Sequence, residues 1–437
     1  MSKLWAKGYQ LNQIVEDFMT GDDPLLDLRI AKYDCIASIA HAEMLHAIGI
    51  LTSDESAQLV EKLNEIIKLV DNGQFTIDPS QEDIHTAIEN YLVEHLGTIG
   101  KKIHTARSRN DQVLTALRLY TKHEIKQILD KLVNTLEVLH EFADKYQAIA
   151  YVGRTHYQKA MPSSLGLWMG AFLESLLDDA KLILNSYDIV DQSPLGSAAS
   201  YGVALPIDRQ LSSDLLGFAK VQNNVLYANN SRGKFDSIVI HGLSQIMLDL
   251  SKLATDVILF SAPEMGYLDL PIQFCPGSSL MPNKKNPDPF ELIRAKSAVL
   301  MASLLQTMEI SRALPSGYNR DFQETKRPLF DSFDTVGQSL DVIAIIMTEV
   351  TANSEKCLAG FSGDVFATDY ALELAANGVP FRDAYQRTAQ NLEQLASRDP
   401  LENIQSKTHL GATGNLGLDS IKLQINDLKQ LTFSLGA

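Results

Sequence analysis

Proline is missing from three long stretches of this chain: between Pro79 and Pro162, between Pro206 and Pro263, and between Pro289 and Pro315. A proline inside a helix removes a hydrogen bond and clashes with the preceding turn, so these gaps permit uninterrupted helices. Apolar residues inside them step at helical spacing. Leu243, Ile246, Leu250, Leu253 and Val257 follow a 3-4-3-4 rhythm, the seam of helices packed at shallow angles. Ile125, Ile128, Leu132, Leu136 and Leu139 nearly do the same. Ser163 to about Val190 carries Leu165, Trp168, Met169, Phe172, Leu176 and Leu184, and Pro289 to Leu314 carries Phe290, Ile293, Leu300, Leu304, Met308 and Ile310. Several such helices exceed the usual length of roughly 10–14 residues. Joined by polar Gly/Pro turns, they predict an all-α fold with an elongated central helical bundle. Strand patterns are scarce, and "YVGRTH" and "QFTID" are the short candidates.

The punctuation divides the chain into an N-terminal helical domain (1–103), a central long-helix bundle (104–354) and a C-terminal domain of shorter helices (355–437). The run "SIVIHGLSQIMLDLSKLATDVILF" is apolar on more than one face. Such a helix is buried all round or faces another subunit. Oligomerisation is the favoured reading, and a wide core within one chain is the alternative.

Composition narrows the function. The chain has 437 residues, 45% of them apolar, and a formal net charge of −16. That balance argues against nucleic-acid or anionic-membrane partners, so an anionic ligand needs a local cluster of donors. Cys35, Cys275 and Cys357 are widely spaced and form no CxxC pair, which fits a reducing compartment better than a disulfide or zinc framework. The start "MSKLWAKGYQLNQIVEDF" has no continuous apolar segment of a secretory signal, and no apolar run is long enough for a membrane span. The expectation is a cytoplasmic protein. No dinucleotide, Walker or HExxH motif occurs, so neither a cofactor nor a catalytic metal is suggested.

Four polar islands interrupt the helical text. "HTARSRNDQV" sets Arg107 and Arg109 before Asn110 and Asp111 at the start of a long periodic run. Asp111 reads as a natural N-cap, whereas the two arginines suit either a carboxylate ligand or a salt-bridge cluster. "GRTHYQKAMP" places Thr155, His156 and Gln158 in a polar break between long helices. Histidine is the side chain most easily poised for proton transfer near neutral pH. "GSSLMPNKKNPDPFELIR" combines a flexible Gly277, Ser278, Lys284 and three prolines before a helix. Its backbone N–H groups can converge on an anion, and a serine there can lose its proton more readily. Glu291 falls in the first turn of that helix, where a carboxylate is favourable anyway, or it orients a histidine. "SGYNRDFQETKRP" carries Tyr318, Gln323 and Lys326. The last two share a face if the run is helical, and a solvated charged face is the plain alternative.

Together these islands resemble one family. "GSSLMPNKKNP" is similar to the serine loop of the fumarase/aspartase superfamily. "HTARSRNDQVLTALRLY", "GRTHYQKAMP", "YNRDFQETK", "EDIHTAIENYL" and "PLGSAASYGVALPIDR" resemble the argininosuccinate lyases, in order from about Asp27 to about Pro328. The resemblance implies cleavage of argininosuccinate to arginine and fumarate, without a cofactor. It also implies three all-α domains and a homotetramer with a twenty-helix core, whose active sites draw loops from three subunits. By the same resemblance Ser278 is the general base, His156 the general acid or its relay, and Glu291 the carboxylate that orients that histidine. Lys284 then stabilises the negative charge that builds on the substrate carboxylate. Asn110, Thr155, Asn286, Tyr318, Gln323 and Lys326 match substrate-binding positions, and Arg109 stands beside them. Asp23 stands where the family pattern has a substrate-binding serine, Asn283 replaces a more usual Gln, and "GKFDS" after Arg232 departs from the pattern. Two alternatives stay open. A sister lyase such as adenylosuccinate lyase or fumarase is disfavoured by the RSRND island and the Tyr318–Lys326 cluster. A crystallin-like structural homologue without activity would not need Ser278, His156 and Lys284 together.

Overall fold

A computed structural model describes residues 11–78 and 81–435. Five long helices form its spine: Arg109–Tyr146, Leu165–Val190, Lys234–Ser261, Asp288–Arg312 and Lys326–Glu349. The first has 38 residues, which makes it about 57 Å long at a rise of roughly 1.5 Å per residue. It packs against Leu165–Val190 and Lys326–Glu349, while Lys234–Ser261 packs against Asp288–Arg312 and Leu165–Val190. Leu243, Ile246, Leu250, Leu253 and Val257 are fully buried, as are Ile125, Leu132, Leu136 and Leu139, so the 3-4-3-4 seams do become the core. No described helix is long and apolar enough to cross a membrane.

Two smaller helical groups flank the bundle. Ala31–Ala47 and Ile84–Leu96 pack against the Arg109–Tyr146 helix, and Ser53–Asp71 packs on those two. After Glu349 the helices shorten, until Leu418–Ser434 returns to lie on Arg109–Tyr146 and Leu165–Val190.

One expectation needs correction. "YVGRTH" does form a strand, Ala150–Thr155, paired antiparallel with Gln158–Ser164, but "QFTID" forms none. Phe75 and Ile77 alternate inward and are buried, yet among the described residues no strand pairs with them. Their period of two anchors an extended loop. The apolar run at Lys234–Ser261 is largely covered within its own chain, with Leu248 its exposed large apolar residue. The bare apolar surface lies on the next long helix, where Leu292, Val299 and Leu305 are each about 60% exposed. Exposed apolar residues at that density mark an interaction surface.

Candidate active site

The first and fourth islands meet at one cleft. Ser108 adopts extended backbone before the Arg109–Tyr146 helix, and its Oγ accepts from Asn110 N at 3.3 Å. Asp111 Oδ1 accepts in return from Ser108 N at 2.9 Å, so the helix opens on a reciprocal capping box. Asp111 is therefore not the N-cap that the sequence suggested, but the residue three places further in. Its other oxygen accepts from Gly196 N at 3.0 Å and Ala198 N at 2.9 Å, pinning the Pro194–Arg209 segment to the helix start. Burial pushes its carboxyl up in spite of these three N–H donors.

That cap places Arg109 and Asn110 on a cleft of about 200 Å³, together with Tyr318, Gln323, Lys326 and Asp23. Lys326 opens the last long helix and is only 3% exposed. Its Nζ lies 2.6 Å from Asp23 Oδ1 and 2.7 Å from Asp27 Oδ1. Burial alone pulls the ammonium down, but the Asp27 and Asp23 carboxylates more than offset it and hold it above its ordinary value. Burial raises the Asp23 carboxyl to about 6 against the pull of Lys326, and the Asp27 charge adds to the rise. Gln323 lies in the short 3-10 turn Arg320–Thr325 and donates from Nε2 to Met19 O at 3.0 Å.

The two arginines of the first island part company. Arg109 Nη1 sits 2.9 Å from Asp83 Oδ2 and 3.7 Å from Glu82 Oε2, and Nη2 donates to Thr86 Oγ1 at 2.8 Å. Arg107 is buried away from the cleft and donates to Ser38 Oγ at 2.7 Å. Spacing left ligand site and salt-bridge cluster open; Arg109 is an ion-paired residue on the wall of the cleft. His85, also lining it, has Nδ1 2.6 Å from Asp34 Oδ2. Burial opposes the imidazolium, but the charge and hydrogen bond of Asp34 win and raise His85.

The second island forms the tip of the hairpin. Thr155 pairs with Gln158, leaving His156 and Tyr157 as a two-residue turn with φ of 52° and 60°. Such a turn prefers Asn-Gly, because side chains in the left-handed region are strained. Arg154 Nη1 braces it by donating to Tyr157 O at 3.1 Å. Thr155 and His156 are exposed. Strain held at a tip that carries a histidine motivates a functional assignment.

The third island is an exposed loop before the Asp288–Arg312 helix. Ser278 Oγ accepts from Met281 N at 3.1 Å and Leu280 N at 3.3 Å. Two N–H donors on this oxygen favour its anionic form. Asn286 closes the loop, its N donating to Pro276 O at 3.0 Å and its Nδ2 to Gly277 O at 3.4 Å. Of the adjacent lysines, Lys285 is tied to Asp269 Oδ1 at 2.8 Å. Lys284 makes no ion pair among the described residues. Lys284, Asn286 and Glu291 line a cavity of about 500 Å³, with Glu291 in the first helical turn.

Within one chain, then, Asp23, Arg109, Asn110, Tyr318, Gln323 and Lys326 come together. Lys284, Asn286 and Glu291 form a second group beside Ser278, and Thr155 and His156 stand apart at the hairpin tip. Among the described residues no hydrogen bond, ion pair or cavity joins the three groups, and Glu291 does not reach His156. Sequence reasoning missed Asp27, Glu82, Asp83, His85, Arg232 and Arg320 on the cleft. Glu82, Asp83 and His85 lie in "EDIHTAIENYL", so that stretch held a signal; a buried partner for Lys326 was the reason to look for Asp27.

Residues 18–302 match the model of a protein family described as Lyase, which defines the class. An argininosuccinate lyase from Thermotoga neapolitana is 47% identical over 388 residues, covering 89% of this chain and 98% of that relative. One from Parabacteroides distasonis is 41% identical over 96% of this chain and 94% of its own length. Accordingly, the chain belongs to the argininosuccinate lyase family. Among solved structures, an EDDS lyase in complex with formate has a TM-score of 0.82 at 22% identity, covering 98% of this chain and 91% of that one. A fumarate lyase:delta crystallin from Brucella melitensis bound to cobalt has a TM-score of 0.73 at 20% identity, covering 97% and 93%. At these identities the likeness concerns the fold alone.

Proposed function

We infer that this protein is a lyase that cleaves argininosuccinate to L-arginine and fumarate by anti β-elimination, in arginine biosynthesis. The observation that carries this reading is the convergence of Asn110, Tyr318, Gln323 and Lys326 on one cleft, from islands far apart in a chain whose relatives bear that name. Removing a proton beside a carboxylate creates a dianion that survives only against cations and N–H donors already in place. Expelling the guanidine then needs a proton donor on the opposite face. Ser278, with two N–H groups on its oxygen, serves as the base, and His156 as the acid or its relay. The uncommitted Lys284 meets the developing charge. Glu291 orients the histidine, and Asn286 and Thr155 contact substrate beside the cleft residues.

The three groups are separate within one chain, so a complete site requires more than one copy. The bare face of the Asp288–Arg312 helix supports a homotetramer whose twenty-helix core brings the groups together, in a cytoplasmic enzyme with divisions near residues 103 and 354. The deciding experiment is ultraviolet detection of fumarate after argininosuccinate is added to purified protein. Steady release at catalytic protein concentrations is expected. Binding without fumarate release would instead mark a silent structural homologue, and release from adenylosuccinate alone a sister lyase.

A further inference from the structure

The hairpin that ends in His156 and Tyr157 has little of its own to hold it. It consists of two strands, Ala150–Thr155 and Gln158–Ser164, and an isolated two-stranded ribbon is marginally stable in water. No third strand joins them among the described residues. Their register shifts between Gly153 and Arg154, and the turn is strained. Leu165 N donates to Ile149 O at 3.0 Å and closes the base. Beyond the base, C-terminal elements cover the strands. Pro400–Ser406 packs on both, Ser354–Ala359 on the first, and the Gly363–Phe366 turn on the second.

Two lysines fasten the second strand to these helices. Lys407, directly after Pro400–Ser406, donates from Nζ to Pro162 O at 3.2 Å. The same Nζ lies 3.2 Å from Asp369 Oδ2, and the two side chains are only 19% and 14% exposed. Asp369 belongs to another helix, Ala367–Ala376, and also accepts from Asn403 Nδ2 at 2.9 Å. Gly414 backs Lys407 from behind. Its N donates to Lys407 O at 3.0 Å, and a Cβ there would lie 2.9 Å from that oxygen and 2.5 Å from Gln405 O. Nearer the tip, Lys159 Nζ donates to Ser362 Oγ at 3.1 Å.

Taking an ion pair out of water is costly, and an apolar contact of similar shape seals a surface as well. A directed hydrogen bond to the main chain adds something that an apolar contact does not, a fixed position along the strand. Pro162 lies six residues from His156 on the strand that leads to it. A general acid acts only within hydrogen-bond reach of the atom it protonates. We propose that Lys407, held by Asp369, is a positioning residue for His156, which locks the hairpin to the C-terminal helices so that both present the imidazole as one unit. The assignment rests on the reading of His156 as the acid of the proposed elimination. Lys407 lines neither the Lys326 cleft nor the Lys284 cavity, so its loss should spare substrate affinity.

Steady-state kinetics and deuterium exchange on full-length Lys407→Met and Lys407→Arg test it. Lys407→Met should lower kcat by about 10- to 100-fold, the cost of an offset of roughly 1 Å in a reacting group, with KM for argininosuccinate unchanged. Lys407→Arg keeps a cation and donors in place and should recover part of the loss. Amides of the Val152–Ser163 segment should exchange faster in Lys407→Met, and those of the Arg109–Tyr146 helix should not. Lys429→Met removes a C-terminal cation that pairs with Glu137 away from the hairpin, and should change neither kcat nor hairpin exchange. Normal kcat in folded Lys407→Met would overturn the proposal. So would a loss carried by KM, or one that Lys407→Arg does not reduce. If Lys407→Met does not fold, Asp369→Asn decides, because it leaves Lys407 present but unheld: a lowered kcat at unchanged KM supports the assignment and a normal kcat overturns it. If wild-type protein releases no fumarate, the lyase reading fails by itself. Hairpin exchange in Lys407→Met against wild type then still decides whether Lys407 fixes the hairpin, and equal rates would overturn that too.

Discussion

The Lys326 cleft and the Ser278 loop are built on opposite principles. In the cleft, side chains from five separate segments meet, and most of the charged ones are ion-paired within one chain. In the loop, Ser278 is held by local backbone N–H groups and Lys284 stands in the open. The hairpin tip with His156 is as exposed as the loop. On the proposed reading, the gripping half of the site is finished inside one chain, and the proton-moving half is completed by surfaces of other copies. Mutations in the two regions should fail differently: in the cleft they disturb stability and affinity together, and in the loop they disturb turnover alone.

The largest test of that contrast is Ser278→Ala. Turnover should fall by about 100- to 10,000-fold, as for loss of a general base, with circular dichroism and thermal midpoint unchanged because no packed group is lost. Near-normal turnover would remove Ser278 as the base. Next in size, His156→Asn mixed with Lys326→Met should regain activity after subunit exchange, although each variant alone is nearly inactive. No recovery in verified mixed oligomers would count against shared sites. Lys326→Met alone strips a buried counter-charge from Asp23 and Asp27 and should lower stability by about 3–5 kcal/mol, measurable by urea unfolding. An unaffected midpoint would mean that the cleft is less tightly coupled than its geometry implies.

The smallest effect concerns Asp23. With its carboxyl raised from 3.8 to about 6, the folded chain holds this proton more tightly than the unfolded chain does. Raising the pH through that window therefore costs stability. The carboxylate form of Asp23, which lines the proposed substrate cleft, predominates above about pH 6. The pH profile of kcat/KM should fall below that point, and Asp23→Ser should flatten this limb while leaving the loop chemistry intact. A profile identical in the variant would assign the ionisation elsewhere.

Local periodicity made the scaffold legible. The seams at Leu243–Val257 and Ile125–Leu139 are statements about neighbours three and four apart, and burial bears them out. Proline-free spans located Arg109–Tyr146, Lys234–Ser261 and Asp288–Arg312 for the same reason, whereas Lys326–Glu349 carries Pro328 in its first turn and gave no such signal. The charge pairing was hidden because it is not local: Lys326 and Asp27 lie 299 residues apart. Asp111 misled because a carboxylate just inside a helix resembles a cap, and only the folded Gly196–Ala198 backbone shows what else it holds. Phe75 and Ile77 misled because alternation signals one buried side, not a partner strand.

The dual grip of Asp111 has a consequence for how this region comes apart. One carboxylate closes the first turn of the Arg109–Tyr146 helix with one oxygen and fastens Gly196 and Ala198 with the other. Fraying of that helix end and release of the distant segment are therefore one event. In native-state deuterium labelling the amides of Ser108, Gly196 and Ala198 should exchange at a common rate, and Asp111→Asn should speed all three together.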